Sequence, residues 1–224
     1  MTNVTLMGVP LVIFMGLVLE RSGIAERMLE SMGSLFGRVR GGLAASTVLV
    51  GMVLAASTGV VGASVVTMGL IALPVMLKYN YDKRLASGVI CASGTLGQII
   101  PPSIILIILG DVLQQPVGDL YRAALIPGLL LVAFYIIYVL ILAFTRKDAA
   151  PAMPSNNAPL ATQYWTALKA IVPALALVMI VLGTVFAGIA TPTESAAMGA
   201  VGAVALALAG GNFRFPMLHQ VAME

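Results

Sequence analysis

The stretch GTLGQIIPPS, residues 94–103, lies inside an apolar run long enough to cross a bilayer, yet it carries two glycines and a Pro-Pro pair. Pro101 and Pro102 have no backbone N–H, so in a helix the carbonyls of Gly97 and Gln98 lose their partners. Lipid tolerates such broken backbone only where protein surrounds it or it lines a wet cavity. The run therefore reads as a membrane element broken, or at the least kinked, at the Pro-Pro pair.

Composition places the rest of the chain in a membrane. Of its 224 residues 60% are hydrophobic and only 9% charged, against roughly a quarter charged in a soluble domain. The formal net charge of +3 speaks against nucleic acid as a partner. The single cysteine, Cys91, can form no intrachain disulfide and reads as a small buried hydrophobe. The single histidine, His219, lies in a polar tail, and there is no CxxC or HExxH. Metal chemistry and a Ser-His hydrolase both lack support. The first apolar run, Val4–Leu19, does not read as a signal peptide, having no basic stretch before it and no small-residue cleavage site after it. Both ends read as cuts in a longer protein.

The pattern predicts an all-α polytopic membrane protein. A first span covers about 4–20, closed by Glu20 and Arg21. Residues 21–40 place Ile24, Met28, Leu29, Met32, Leu35 and Phe36 on one stripe, which predicts an amphipathic interfacial helix. The apolar stretch 43–77 is interrupted by STGVVGAS at 57–64. It is too long for one span and short for two, which predicts a re-entrant hairpin whose tip lies near mid-membrane. Asp82 opens a third element over 85–110, which contains the Pro-Pro break. Further spans follow at 123–144, 166–189 and 193–209. The domain reading is an N-terminal repeat over 1–144, a cytoplasmic linker over 145–164, the start of a second repeat over 165–211 and a cut tail over 212–224.

Charge sets the topology. With 21–40 cytoplasmic and the hairpin returning to the face it left, all but Arg122 of the 12 basic residues fall inside, as the positive-inside rule requires. Reading 43–77 as a single crossing would flip every later loop.

Two broken elements carry the candidate chemistry. The carbonyls freed at Gly97 and Gln98, with the hydroxyls of Thr95 and Ser103 nearby, form an oxygen set suited to a hard cation such as Na⁺. Gly94 and Pro101 complete the break. At the hairpin tip, Ser57-Thr58-Gly59-Val60-Val61-Gly62-Ala63-Ser64, an interrupted helix exposes carbonyls of the first arm and N–H groups of the second. Those amides suit an anionic substrate group, and Ser57, Thr58, Ser64 and Thr67 offer neutral hydrogen bonds. Such half-helix ends recur in secondary transporters. By contrast TPTES at 191–195 reads as a capping box, with Thr191 at the N-cap and Glu194 three residues on.

Four segments, GVPLVIFMGLVLERSGIAERML, STGVVGASVVTMGLIALP, YDKRLASGVICASGTLGQIIPPSI and GIATPTESAAMGA, resemble in order the large, DctM-like membrane subunit of tripartite ATP-independent periplasmic (TRAP) transporters. The wording of the middle two is similar to the mannitol/chloroaromatic-type branch. The resemblance implies an elevator-type half of the ion-transporter superfamily in the bacterial inner membrane. It implies Na⁺-driven uptake of small organic anions, often carboxylates, delivered by a periplasmic solute-binding protein, with a small membrane subunit as a further partner. It implies a Na⁺ site at the tip Ser57–Gly59 with Gly97, Ile100 and Pro102, chiefly through carbonyls, where the proline argument points to Gln98 rather than Ile100. Substrate contacts would fall at Gly62, Ser64, Thr67 and Thr95. It also implies earlier spans and a second inverted half with its own hairpin, which this chain lacks beyond about residue 211. Two other readings stay open at this point. One is a Na⁺/dicarboxylate symporter working without a binding protein; the other is an intramembrane hydrolase with Ser93 as nucleophile.

Overall fold

The computed structural model describes residues 7–37, 39–146, 148–153 and 160–209. The tail at 212–224, most of the 154–164 stretch of the linker and His219 lie outside the described residues or at their edge. Nine helices are described: α1 (Gly8–Arg21), α2 (Ile24–Phe36), α3 (Gly42–Thr58), α4 (Val61–Lys78), α5 (Lys83–Thr95), α6 (Ile104–Leu113), α7 (Val117–Thr145), α8 (Leu160–Phe186) and α9 (Pro192–Ala209). A 3-10 turn, Leu96–Gln98, follows α5. Among the described residues there is no strand. Among the described residues four helices, α4, α7, α8 and α9, are long and apolar enough to cross a membrane, and α1 with α2, bent by 56°, would make a fifth as one broken span. The chain is an all-α polytopic membrane protein.

Its two polar ends are distinct. At one, the Gly41 amide donates to the Ala150 carbonyl at 3.1 Å and the Asp82 amide to the Ala149 carbonyl at 3.0 Å. The start of α3 and the residues after α4 are thus tied to one segment, so α3 and α4 form a hairpin that returns to the face it left. Asp82 caps α5, accepting from the Arg84 amide at 2.7 Å and the Leu85 amide at 3.3 Å. At the opposite end Arg122 donates to the Phe186 carbonyl and sits 3.5 Å from the Asp119 carboxylate. α1 and α9 run parallel, with Gly8 against Thr193 and Met15 against Gly199.

Close backbone approach holds the hairpin to the broken element. Gly51 meets Ser93, Gly94 meets Val65 and Gly97 meets the Ala55 backbone. Contacts of this kind matter in lipid, where van der Waals packing between small residues replaces the hydrophobic drive. One core cluster joins the hairpin, α2 and α5 around Met28, Leu43, Met68 and Met76. A second joins α1, α6, α8 and α9 around Met15, Ile107 and Val181.

Five expectations are corrected. Cys91, read as a buried hydrophobe, is exposed, and Gly94, read as part of the break, lies inside α5, where the absence of a side chain lets Val65 approach. The stripe of α2 is covered in part by protein: Met28, Leu29 and Met32 are buried and the helix packs on α3 and α8, while Phe36 is exposed. The hairpin break is narrower than 57–64, because Ser57 and Thr58 remain helical and only Gly59 and Val60 interrupt the two arms. Helix α8 begins at Leu160, inside the stretch read as linker.

Candidate functional site

At the hairpin tip Gly59 takes φ +62°, a left-handed conformation, and its amide closes α3 on the Ala55 carbonyl at 3.0 Å. Glycine adopts this turn without the Cβ penalty other residues bear. Val60 is extended, and α4 starts at Val61 with no side-chain cap. The first amide of this region with a backbone partner is that of Ser64, which donates to the Val60 carbonyl at 3.2 Å. The amides of Val61, Gly62 and Ala63 are those a helix start leaves without intrahelical acceptors. The hydroxyls brace the turn. Ser57 donates to the Leu54 carbonyl at 2.7 Å, and the Thr58 and Ser64 hydroxyls share a hydrogen bond of 2.6 Å. All three residues are buried, whereas Gly62 is exposed with open space beside it.

The Pro-Pro segment is broken as the missing donors require. The Ile99 and Ile100 amides both turn back to the Leu96 carbonyl, at 3.0 and 2.9 Å. The Pro101–Pro102 peptide is cis, Ser103 is extended, and α6 restarts at Ile104 without a side-chain cap. The expectation that the Gln98 carbonyl is free is corrected: the Ser103 hydroxyl donates to it at 2.7 Å. Among the described residues, no hydrogen bond reaches the Gly97 carbonyl.

The two breaks meet. A Cβ on Gly97 would lie 2.3 Å from the Ala55 carbonyl oxygen, and one on Gly59 would lie 2.9 Å from the Ile104 side chain and 3.4 Å from its amide nitrogen. Ser57 and Thr58 back directly onto Gly16 of α1. Gly16 is eight residues along α1 from Gly8, and Ile104 is nine residues from the end of α6. At 1.5 Å per residue the tip is buried about 12–14 Å from the outer ends of those helices. The carbonyl end of α3 and the amide ends of α4 and α6 therefore converge within the fold. Helix C-termini carry negative partial charge and N-termini positive, so the arrangement offers oxygens to a cation beside amides for an anion. Among the described residues there is no group of three or more His, Cys, Asp or Glu able to hold a metal. A cation here would rest on backbone oxygens.

Other singled-out residues lie apart from this convergence. Thr95 is exposed, and its hydroxyl donates to the Ala92 carbonyl of its own helix at 2.8 Å. Thr67 sits nearly two turns below the start of α4 and donates to the Glu20 carboxylate. Thr191 and Glu194 are at the far polar end. There the Thr191 amide donates to the Glu194 carboxylate at 2.8 Å, and the Glu194 amide to the Thr191 hydroxyl at 3.3 Å. Ser93 is fully buried, with its hydroxyl given to the Ile90 carbonyl at 3.0 Å. Glu20 was missed as anything but a span end. Its second carboxylate oxygen is buried without a hydrogen bond among the described residues, and the available signal was an acidic group closing an apolar run.

The family described as "Tripartite ATP-independent periplasmic transporter, DctM component" matches residues 1–222. The C4-dicarboxylate TRAP transporter large permease protein DctM of Pseudomonas aeruginosa is 35% identical over 91% of this chain and 47% of its own length. Its namesake from Vibrio cholerae is 38% identical over 88% of this chain and 42% of its own. The 2,3-diketo-L-gulonate TRAP transporter large permease protein YiaN of Escherichia coli is 28% identical over 88% and 45%. The chain thus spans less than half the length of these relatives.

Proposed function

The chain belongs to the DctM-component family of tripartite ATP-independent periplasmic transporters, integral inner-membrane permease subunits rather than enzymes, and from that premise we propose that it forms part of a Na⁺-coupled uptake system for small organic anions. The observation that carries the reading is the convergence of the two backbone breaks. Na⁺ is held by carbonyls of Ser57, Thr58 and Gly59 on one side and of Gly97, Ile100 and Pro102 on the other. The carboxylate of the substrate rests on the amides that start α4, around Gly62, where the open side faces away from the protein. Ser64 and Thr58 keep those amides in place; Thr67 and Thr95 take no direct part.

Physically the two ligands need each other. A cation among carbonyls lowers the cost of bringing a carboxylate into a low-dielectric site, and the helix ends supply fixed dipoles of matching sign. Two substrates named for relatives, a C4-dicarboxylate and 2,3-diketo-L-gulonate, are small organic acids. A periplasmic solute-binding protein delivers the anion, a small membrane subunit partners the permease, and the remainder of the permease closes over the site.

The test uses a full-length relative that carries the same Pro-Pro motif, reconstituted in liposomes. Replacing both prolines with alanine restores two amide donors and occupies the carbonyls at the positions of Gly97 and Gln98. Loss of one charge-assisted interaction is worth about 1.5–3 kcal/mol, so the Na⁺ concentration for half-maximal uptake should rise about 10–100-fold. Uptake with an unchanged Na⁺ dependence would refute the ligand set.

A further inference from the structure

A groove of about 500 Å³ runs along the basic end of the molecule between α5 and α7 and is floored by Val48 of α3. Both flanking helices pack on α3, so the groove is built into the fold. Its walls are apolar: Leu85 and Ala92 come from α5, Tyr138 and Leu142 from α7. Halfway along α5 the wall opens at Gly88, where an added Cβ would meet nothing within 4 Å. The mouth is different in kind. Arg84 and Arg146 stand there, both exposed, and among the described residues neither is ion-paired. Asp82 shares the mouth, but its Oδ1 is committed to the Arg84 and Leu85 amides.

We propose that this groove binds an anionic phospholipid of the cytoplasmic leaflet, with the phosphate between Arg84 and Arg146 and an acyl chain lying past Gly88. Three observations choose this occupant. The cations sit at the end where Lys78, Lys83 and the returning hairpin lie, which the positive-inside pattern assigns to the cytoplasmic surface. From Arg84 to Ala92 the groove is about 12 Å long at 1.5 Å per residue, and apart from the phenols of Tyr135 and Tyr138 its depth is lined by apolar groups. A basic mouth over an apolar slot between helices is complementary to a lipid with a charged head. A small dicarboxylate would use the arginines and leave the apolar length empty.

The 224-residue chain is purified in detergent and examined by native mass spectrometry and thermal unfolding with added phosphatidylglycerol, phosphatidylcholine, inorganic phosphate or succinate. Phosphatidylglycerol should be retained and should raise the melting temperature more than phosphatidylcholine. R84Q and R146Q should each weaken the preference about fivefold, the worth of one cation near an anionic surface, while the R84K/R146K pair keeps most of it. Gly88→Leu places its side chain in open space, so it should fold normally and lose both lipids. Protection by phosphate or succinate equal to that by phosphatidylglycerol would overturn the proposal. So would equal retention of the two lipids, as expected if another protein helix fills the groove, or undiminished binding by a folded Gly88→Leu variant.

Discussion

Gly97→Ala tests the contact between the two breaks. The added methyl would sit 2.3 Å from the Ala55 carbonyl oxygen, 2.7 Å from its carbon and 2.9 Å from its Cα. An ordinary carbon–oxygen contact is about 3.3 Å or longer, so α3 and the 3-10 turn must part by about 1 Å. Backbone, not a flexible side chain, is what has to yield. Overpacking of this kind costs about 1–3 kcal/mol, and the rigidity of the obstacle puts Gly97 at the upper end. Gly88→Ala, nine residues earlier on α5, provides the control. Its methyl meets nothing within 4 Å, and an alanine in a helix interior is favoured over glycine by up to about 1 kcal/mol. The two variants should therefore differ by about 2–4 kcal/mol. At about 2–4 °C per kcal/mol for a chain of this size, Gly97→Ala should melt roughly 5–15 °C below Gly88→Ala in a thermal scan followed by far-UV circular dichroism. If the two melt together, Gly97 does not rest on Ala55, and the breaks are not joined as described.

Two further outcomes follow from the same structure. Removing the hydroxyls of Thr58 and Ser64, by Thr58→Val and Ser64→Ala, should cost about 1 kcal/mol in either single variant, and the double variant should cost less than the sum because the 2.6 Å bond is lost only once. Additive losses in denaturant unfolding would show that the tip hydroxyls do not pair. Tyr81, in the loop after α4, has a buried hydroxyl near the Leu43 and Ala44 amides but in no hydrogen bond of full geometry. Burial, partly offset by those amides, raises the phenol above its ordinary 10.0. Folding thus favours the protonated form. The contribution is fully present below about pH 10 and is lost as pH rises through the folded value. Tyr81→Phe should leave stability at neutral pH unchanged or higher and should flatten the alkaline decline of melting temperature; an identical decline would contradict it.

Much of this architecture is legible in the chain because lipid leaves few options. Pro101 and Pro102 remove two adjacent donors, and Pro102 disfavours the helical region for Pro101, so the break after Gln98 is legible where the lone Pro74, Pro127 and Pro173 leave their helices continuous. The hairpin follows from the placement of Lys78, Lys83 and Arg84, since a single crossing would put them on the wrong face. What was not legible depends on partners far apart in sequence or on side-chain rotamers. Gln98 and Gly97 look alike to the donor count, and only the turn of Ser103 back onto Gln98 distinguishes them. Ser57 and Thr58 stay helical because the left-handed turn falls at Gly59 rather than Gly62, and a composition-based reading cannot locate a break to one residue. The stripe of α2 has the period of an interfacial helix whether protein or lipid covers it. Glu20 and Thr67 lie 47 positions apart, and no local pattern joins them.

The most direct test of the central claim is an electron cryomicroscopy map of a full-length relative with the same tip and Pro-Pro motifs, determined in Na⁺ and again with Na⁺ replaced by choline. The account predicts a Na⁺-dependent density enclosed by the backbone oxygens at the positions of Ser57–Gly59 and Gly97. A continuous helix through the positions of Gly97–Ser103, a hairpin tip at headgroup level, or an ion bound away from both breaks would contradict it.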